Sequence, residues 1–373
     1  MVHAEPGRVH VLHVVPGLGP GGMELAMSRV VNELVRRGLR HSVACLKGDP
    51  FIQDRFDGSV AIHCLRARPN EWRLPGRLLA LIRHLRPTVI HARNWGAWPD
   101  VAVARLATRP RVPLIFSFHG FGRSGRMPLR RRLAFRILAR MTTCLFTLSE
   151  ESRRVLVREY GWPSRCDVIP NGVDTDRFRP AASGPRRGPL VVGTVGNLRA
   201  VKNHALLMRA GAELAATGLD VEVRIAGAGE EQARLLGLAS SLGFADRLRL
   251  VGYQDDVPAF LQALDVFALT SDSEQHPNAL AEAMASGLPC VATRVGGVAE
   301  LLDDGRCGRI VEPGDVRALV AALGELARAP DLCLTLGAAA RRRACGCYGM
   351  DRMVGRYEEL YRRLSARETG DGR

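Results

Sequence analysis

Short apolar runs alternate with amphipathic stretches along almost the whole chain. Val9–Val15, His41–Leu46, Val89–Ala92, Leu114–Phe118, Cys144–Leu148 and Asp167–Pro170 read as strands. Between them, Met23–Arg37, Leu78–Leu85, Asp100–Ala107, Pro128–Met141 and Ser152–Tyr160 carry the helical period. Gly38 closes the first helix, and Ser149-Glu150-Glu151 opens the last. Apolar runs without polar alternation suit parallel strands covered on both faces. Strand–helix alternation of this kind predicts a doubly wound α/β sheet.

The stretch Arg179–Gly188 (RPAASGPRRG) breaks the pattern with Pro, Gly and small residues, and reads as a linker. The alternation then restarts. Leu190–Val195, Val221–Ala226, Leu248–Val251, Val266–Leu269 and Pro289–Thr293 read as strands. His204–Thr217, Glu230–Leu242, Pro258–Ala263 and Asn278–Ser286 read as helices, the last stopped by Gly287. The expected domains are therefore 1–182 and 183–350. A tail helix, Asp351–Ala366 (about 351–368 in full), has Met353, Tyr357, Leu360, Tyr361 and Leu364 on one apolar side and is expected to pack back towards the first domain.

In doubly wound sheets, ligands bind at the carboxyl ends of strands, and several chemically useful residues fall there. Glu274 lies in the polar turn Thr270–Pro277, and Glu282 lies eight residues on, inside the following helix. Both can reach a ligand lying over that helix's N-terminus, where free N–H groups and the dipole suit a phosphate. Two arbitrary glutamates are usually solvated surface residues; the strand–turn–helix setting raises the interest of this pair. Lys202 sits in the turn after Leu190–Val195, in a chain with 51 arginines and only one other lysine, Lys47. A compact ammonium there suits a diphosphate. Pro16–Gly22 is a Gly-rich turn without GxGxxG spacing, weak evidence alone. His91 and His119 each end a strand, a position where a lone histidine is more often structural.

The composition is that of an ordinary globular protein, with 46% hydrophobic and 24% charged residues. No apolar run approaches the length of a membrane span, and the sequence predicts no signal peptide. Nine cysteines without CxxC pairs predict reduced thiols, hence a cytoplasmic chain, with access to the inner face of a membrane. No HExxH, Walker or nucleophile-elbow pattern is present, and no metal is expected. Charge is uneven: residues 1–182 hold 30 Arg/Lys against 14 Asp/Glu, and residues 183–373 hold 23 against 24. Val101–Ser149 contains ten arginines and no acid. Such a surface seeks a polyanion: acidic lipid, a phosphorylated acceptor or nucleic acid. In the helix here, Leu133 and Ile137 share one face while Arg132, Arg136 and Arg140 form a row. A solvated basic face is the plain reading; an anionic membrane contact through Arg123–Arg140 is the functional one.

PGLGPGGME, IHARNW, FHG, LSEES, VIPNGVDTDRFRP, GTVGNLRAVKNH, IAGAGEE, VGYQDDV, SEQHPNALAEAMASGLPCVAT and GGVAELL together span nearly the whole chain. On these segments the sequence resembles the retaining glycosyltransferases of family 4. HARNW and the N-terminal half look closest to exopolysaccharide-type sugar transferases. The resemblance implies the GT-B architecture, two Rossmann-like domains facing across a cleft. It implies that Gly21 and Gly22 offer amides to the donor's distal phosphate and that Lys202 neutralises the diphosphate. Glu282 would bind ribose hydroxyls, Glu274 the transferred sugar, and His119 would lie beside that sugar. Asn278 and Ala279-Leu280-Ala281 would lend helix N-terminal amides, and Gly252-Tyr253 would border the base. The family usually has Arg at the place of Asn197, so Arg199 is the candidate for the missing charge, and Gln275 stands where a Gly is common.

The implied reaction moves a sugar from a nucleotide diphosphate sugar to a hydroxyl acceptor, lipid-linked ones included, with front-face attack and no obligatory metal or other cofactor. No nucleic-acid partner is expected. The rival readings are a nucleotide-sugar epimerase of the same architecture, an NAD-dependent oxidoreductase lacking its glycine fingerprint, and a non-catalytic polyanion-binding protein.

Overall fold

Uninterrupted apolar runs become parallel strands throughout the computed structural model, which describes residues 9–19, 21–68, 71–120, 129–163, 166–182 and 188–370. Pro20, Arg123, Arg126, Pro128 and residues 183–187 of the predicted linker lie outside the described residues. The chain divides into two compact units, Met1–Pro170 with Asp351–Arg373, and Asn171–Met350.

The first unit runs β1 (His10–Val15), α1 (Gly22–Arg36), β2 (Arg40–Cys45), β3 (Ala61–Cys64), α2 (Leu74–Leu85), β4 (Val89–Arg93), α3 (Trp98–Leu106), β5 (Leu114–Phe118), α4 (Leu129–Arg140), β6 (Cys144–Thr147), α5 (Glu150–Tyr160) and β7 (Asp167–Val168). Its seven strands are parallel in the order β3-β2-β1-β4-β5-β6-β7. The chain builds outward from β1 in one direction, then returns to β4 and builds in the other. The β1/β4 boundary is thus a topological switch point, where a crevice opens at the strand ends. Every residue of β1, β4 and β5 is buried. Trp98 anchors one side of the core, stacked on Phe116 at 3.8 Å with its Nε1–H donated to Thr142 Oγ1 at 2.9 Å. The edge strand β3 went unpredicted, and α2 starts earlier than expected because Pro75 fits its first turn.

The second unit continues with β8 (Leu190–Val195), α6 (His204–Ala216), β9 (Val221–Ala226), α7 (Gln232–Ser241), β10 (Leu248–Gly252), α8 (Val257–Gln262), β11 (Val266–Leu269), α9 (Asn278–Ala285), β12 (Cys290–Thr293), α10 (Val298–Leu301), β13 (Arg309–Val311), α11 (Val316–Arg328) and α12 (Pro330–Tyr348). Its six parallel strands run β10-β9-β8-β11-β12-β13, with the switch point between β8 and β11. The loops that follow β8 and β9 press together: a Cβ on Gly227, at φ +155°, would overlap the Gly196 carbonyl.

The division falls between Pro170 and Asn171, ahead of the predicted 182/183 boundary. Residues 171–180 are held by the second unit's own core. Val173 and Phe178 are buried there, Val173 N–H donates to Tyr348 O at 2.8 Å, and Arg341 donates to the carbonyls of Thr175 and Phe178 at 3.1 and 2.5 Å.

The last helix, α13 (Met350–Gly370), belongs to the first unit apart from its first residue. Met353, Val354, Tyr357, Leu360, Tyr361 and Leu364 are buried. Arg37 pairs with Asp351 at 3.1 Å and Glu358 at 3.3 Å, and Ser365 Oγ meets Thr88 Oγ1 at 2.8 Å.

Candidate functional site

In the second unit the turns after β8 and β11 are stitched together at the switch point. Asp272 N–H donates to Val201 O at 2.9 Å, Asn203 Nδ2 to Asp272 Oδ1 at 2.9 Å, and Thr270 Oγ1 to Lys202 O at 3.3 Å. This brings two predicted residues into contact: Lys202 Nζ donates to Glu274 Oε1 at 2.6 Å. Ser271 Oγ donates to the same oxygen at 2.7 Å. The lysine and glutamate side chains are 25% and 11% exposed, so the pair is shielded yet reachable. Behind Glu274 stands Gly296, at φ +50°, whose Cβ would overlap the Glu274 carbonyl; Gly297 N–H donates to Gln275 O at 2.9 Å.

Helix α9 begins directly after this turn. Its cap residue Pro277 offers no side-chain bond, so the first-turn amides depend on other partners. Asn171 Nδ2 donates to Asn278 Oδ1 at 2.9 Å and to His276 O at 3.4 Å, fixing the entry to the helix. Leu280 is fully buried in the core and Ala281 nearly so, which confines any binding role of these two to their backbones. Glu282 is 9% exposed, one turn along the same helix. Asn197 and Arg199 are exposed in the turn that leads to Lys202. At the end of β10, Gly252 O accepts from Gly227 N–H at 2.8 Å, and Tyr253 presents a largely exposed ring.

In the first unit Gly21 caps α1 and Gly22 begins it. Glu24 curls back over this end: its carboxylate crowds the position a Gly21 Cβ would take. Burial raises its pKa, while a bond to its own backbone amide acts in the other direction. A carboxylate therefore already sits where a phosphate was expected, and any phosphate bound there would meet it.

His119 follows β5 and is the visible end of a buried polar chain. Ser117 Oγ lies 2.8 Å from His119 Nε2 and 2.8 Å from His91 Nε2, and His91 Nδ1 lies 2.8 Å from the Tyr361 hydroxyl of α13. Beside this chain, Arg93 Nε donates to His13 Nδ1 at 3.4 Å, and His13 Nε2 meets His41 Nδ1 at 3.0 Å. Burial, seconded by the Arg93 charge, lowers the His119 pKa to about 3. The same causes, in the same order, put His91 and His13 well below the usual histidine range. All of these rings are neutral near pH 7. His91, read from the sequence as structural, is fully buried with both ring nitrogens engaged.

Several residues of these arrangements had no role in the sequence reading: Glu24, Arg93, Ser117, Asn171, Ser271, His276 and the hydroxyl of Tyr361. Glu24 and Ser271 stand next to segments that were singled out, so their proximity was the available signal. The Tyr361 contact joins residues too distant in sequence for any local pattern to reveal.

Residues 20–177 match the family model Glycosyltransferase Family 4, and residues 176–343 match the model Glycosyl transferases group 1. The chain is 31% identical over 250 residues to the UDP-Gal:alpha-D-GlcNAc-diphosphoundecaprenol alpha-1,3-galactosyltransferase of Escherichia coli, covering 62% of this chain and 64% of that protein. It is 27% identical to the D-inositol 3-phosphate glycosyltransferase of Mycolicibacterium paratuberculosis, covering 99% and 94%. Among solved structures, a glycosyltransferase from Rickettsia africae superposes with a TM-score of 0.83 at 19% identity, covering 96% of this chain and 98% of that one.

Proposed function

The chain belongs to the family 4 glycosyltransferases, with the two-domain GT-B fold, and we propose that it transfers a hexosyl group from a nucleoside diphosphate sugar to a hydroxyl acceptor with retention. The observation that carries this reading is the Lys202–Glu274 pair at the β8/β11 switch point, directly ahead of the α9 N-terminus. The pair offers a cation for a diphosphate and a carboxylate for sugar hydroxyls within one hydrogen bond of each other.

On this reading, donor binding separates the two. Lys202 turns to the diphosphate, and Glu274 accepts from hydroxyls of the sugar. The bond from the anomeric carbon to the phosphate oxygen breaks through an oxocarbenium-like state, and its electron pair passes to the leaving phosphate. Charge growing on that phosphate is stabilised by Lys202, by Arg199 in place of the usual charge at 197, and by the α9 amides. The acceptor oxygen bonds to the anomeric carbon on the same face, and its proton passes to the leaving phosphate. No second carboxylate and no metal are demanded, so turnover in excess EDTA is expected to match turnover without it.

A uridine donor and a lipid-linked acceptor are the substrates favoured for this chain, in cell-surface or exopolysaccharide synthesis. They are supported by the UDP-sugar and undecaprenol-linked acceptor in the name of the Escherichia coli relative. A screen of UDP- and GDP-sugars, read by thermal stabilisation and by acceptor-free hydrolysis, tests the proposal. Stabilisation by one nucleotide series supports it. A chain that no nucleotide-sugar stabilises, or that releases only an epimerised nucleotide-sugar, would sink it.

A further inference from the structure

Within the buried polar network of the first unit, Arg93 alone can only donate hydrogen bonds, and it is 2% exposed. A guanidinium fixed in the interior decides which way the adjoining hydrogen bonds run. On one side its Nε donates to His13 Nδ1 at 3.4 Å. His13 therefore carries its proton on Nε2 and donates it to His41 Nδ1 at 3.0 Å. On the other side its charge acts on the Tyr361 hydroxyl and favours the phenolic oxygen turned towards it. With that oxygen turned to the cation, the phenolic proton points to His91 Nδ1, 2.8 Å away. His91 is then protonated on Nε2 and donates to Ser117 Oγ at 2.8 Å, and Ser117 passes its own proton direction on to His119 Nε2 at 2.8 Å. In the reverse order His91 Nδ1–H would donate to Tyr361, and the phenolic proton would be left beside a cation that accepts nothing.

We propose that Tyr361, carried by the C-terminal helix, is a positioning residue for His119: a one-way relay of hydrogen bonds from Tyr361 through His91 and Ser117 holds the His119 ring with its proton on Nδ1. The inference rests on the reading of His119 as a residue beside the transferred sugar, and it sharpens what that residue does. With Nε2 occupied as an acceptor, His119 offers a preset Nδ1–H donor to a sugar hydroxyl or phosphate oxygen. It is not a base, which agrees with the leaving phosphate taking the acceptor's proton. Rings held by such outer partners keep one tautomer and one orientation. The relay also ties the last helix, more than 200 residues from β5 in sequence, to the orientation of a site residue.

The test uses the full chain labelled with ¹⁵N. Long-range ¹H–¹⁵N correlations distinguish the two histidine tautomers, and comparison with His119→Gln assigns the His119 signals. The wild type is expected to show His119 protonated on Nδ1. In Tyr361→Phe, which keeps the ring and removes only the hydroxyl, that preference is expected to fall. Its kcat should drop on the order of tenfold while KM for the donor stays within about two-fold. Ser117→Ala breaks the last link by a smaller change and decides the matter if Tyr361→Phe does not fold. Wild-type His119 protonated on Nε2 would overturn the relay, as would an unchanged tautomer in the folded variant. A shifted tautomer with unchanged kcat in Tyr361→Phe would overturn the positioning role. If the relay behaves as expected but His119→Gln is as active as wild type, the relay stands and the placement of His119 beside the sugar fails.

Discussion

Lys202 Nζ lies 2.6 Å from Glu274 Oε1, across the two turns that flank the switch point of the second sheet. The contact admits two roles for the lysine, counter-ion to Glu274 or clamp for a diphosphate, and a double-mutant cycle separates them. Lys202→Ala is expected to lower kcat/KM by about 10²–10³-fold, the usual loss for a charged transition-state donor. Glu274→Gln removes the charge that a counter-ion would serve. If Lys202 acts on phosphate, Lys202→Ala/Glu274→Gln is no more active than Lys202→Ala. Recovery of activity in the double variant would assign the lysine to Glu274 alone.

Gly296 supports the same site from behind. Its backbone sits at φ +50°, and a Cβ would run into the Glu274 carbonyl oxygen. Gly296→Ala therefore has to move the Glu274 turn or distort its own. Adopting the left-handed region costs about 1–3 kcal/mol for a non-glycine residue. The expected outcome is a lower melting temperature together with a raised donor KM. Donor kinetics equal to wild type in the folded variant would show that the Glu274 turn is not held by this contact.

These two sites also show what the chain could and could not disclose. Strands such as Val266–Leu269 and Leu114–Phe118 were legible because parallel strands buried on both faces leave unbroken apolar runs. The turns carrying Lys202 and Glu274 were legible because strand ends and a helix start bracket them. What the sequence hid is pairing. Nothing local says that Lys202 reaches Glu274, that Gly296 backs the turn, or that Tyr361 reaches His91 from the far end of the chain. The edge strand β3 was missed because its half-exposed residues give no buried run, and the division between the units lies ahead of 182/183, where Arg341 binds the carbonyls of 175 and 178.

Helix α4 leads to a prediction about surfaces. Phe135, Leu138 and Ala139 face its core, while Leu129, Leu133 and Ile137 are 79%, 58% and 51% exposed. Arg130, Arg136 and Arg140 are exposed around that apolar row, whereas Arg131 lies over the Trp95 ring at 4.8 Å. An apolar row flanked by cations suits an anionic lipid surface better than it suits water. Among the described residues no helix is long and apolar enough to cross a membrane, so any attachment through this row would be peripheral. Vesicles containing phosphatidylglycerol are expected to bind the chain, less so as salt rises. Leu133→Asp with Ile137→Asp is expected to abolish that binding while donor hydrolysis persists. Equal binding by the double variant, or none by the wild type, would dismiss α4 as a membrane contact.

The buried histidines set an acid limit on the fold. Burial and the neighbouring Arg40 bring the His10 pKa to about 4, and burial with His10 and Arg93 brings His41 to about 3. His13 and His91 lie well below the usual value for the same leading reason, desolvation. In the unfolded chain each returns to about 6.5. Below that pH the unfolded state binds protons that the native state refuses, so stability falls as pH falls. The stabilising contribution is complete above pH 6.5 and is lost progressively down to the folded values. At pH 5 His10 and His41 have each cost about 2 kcal/mol, a sizeable part of the whole stability of a typical domain. Denaturant titrations at pH 7.5, 6 and 5 are expected to show a falling midpoint, beginning before carboxylates titrate. His41→Gln removes one of the proton-accepting groups and should make the fall shallower. A midpoint constant from pH 7.5 to 5 would mean that these rings are protonated in the folded chain, which burial opposes for all of them and the Arg93 charge for His13, His41 and His91.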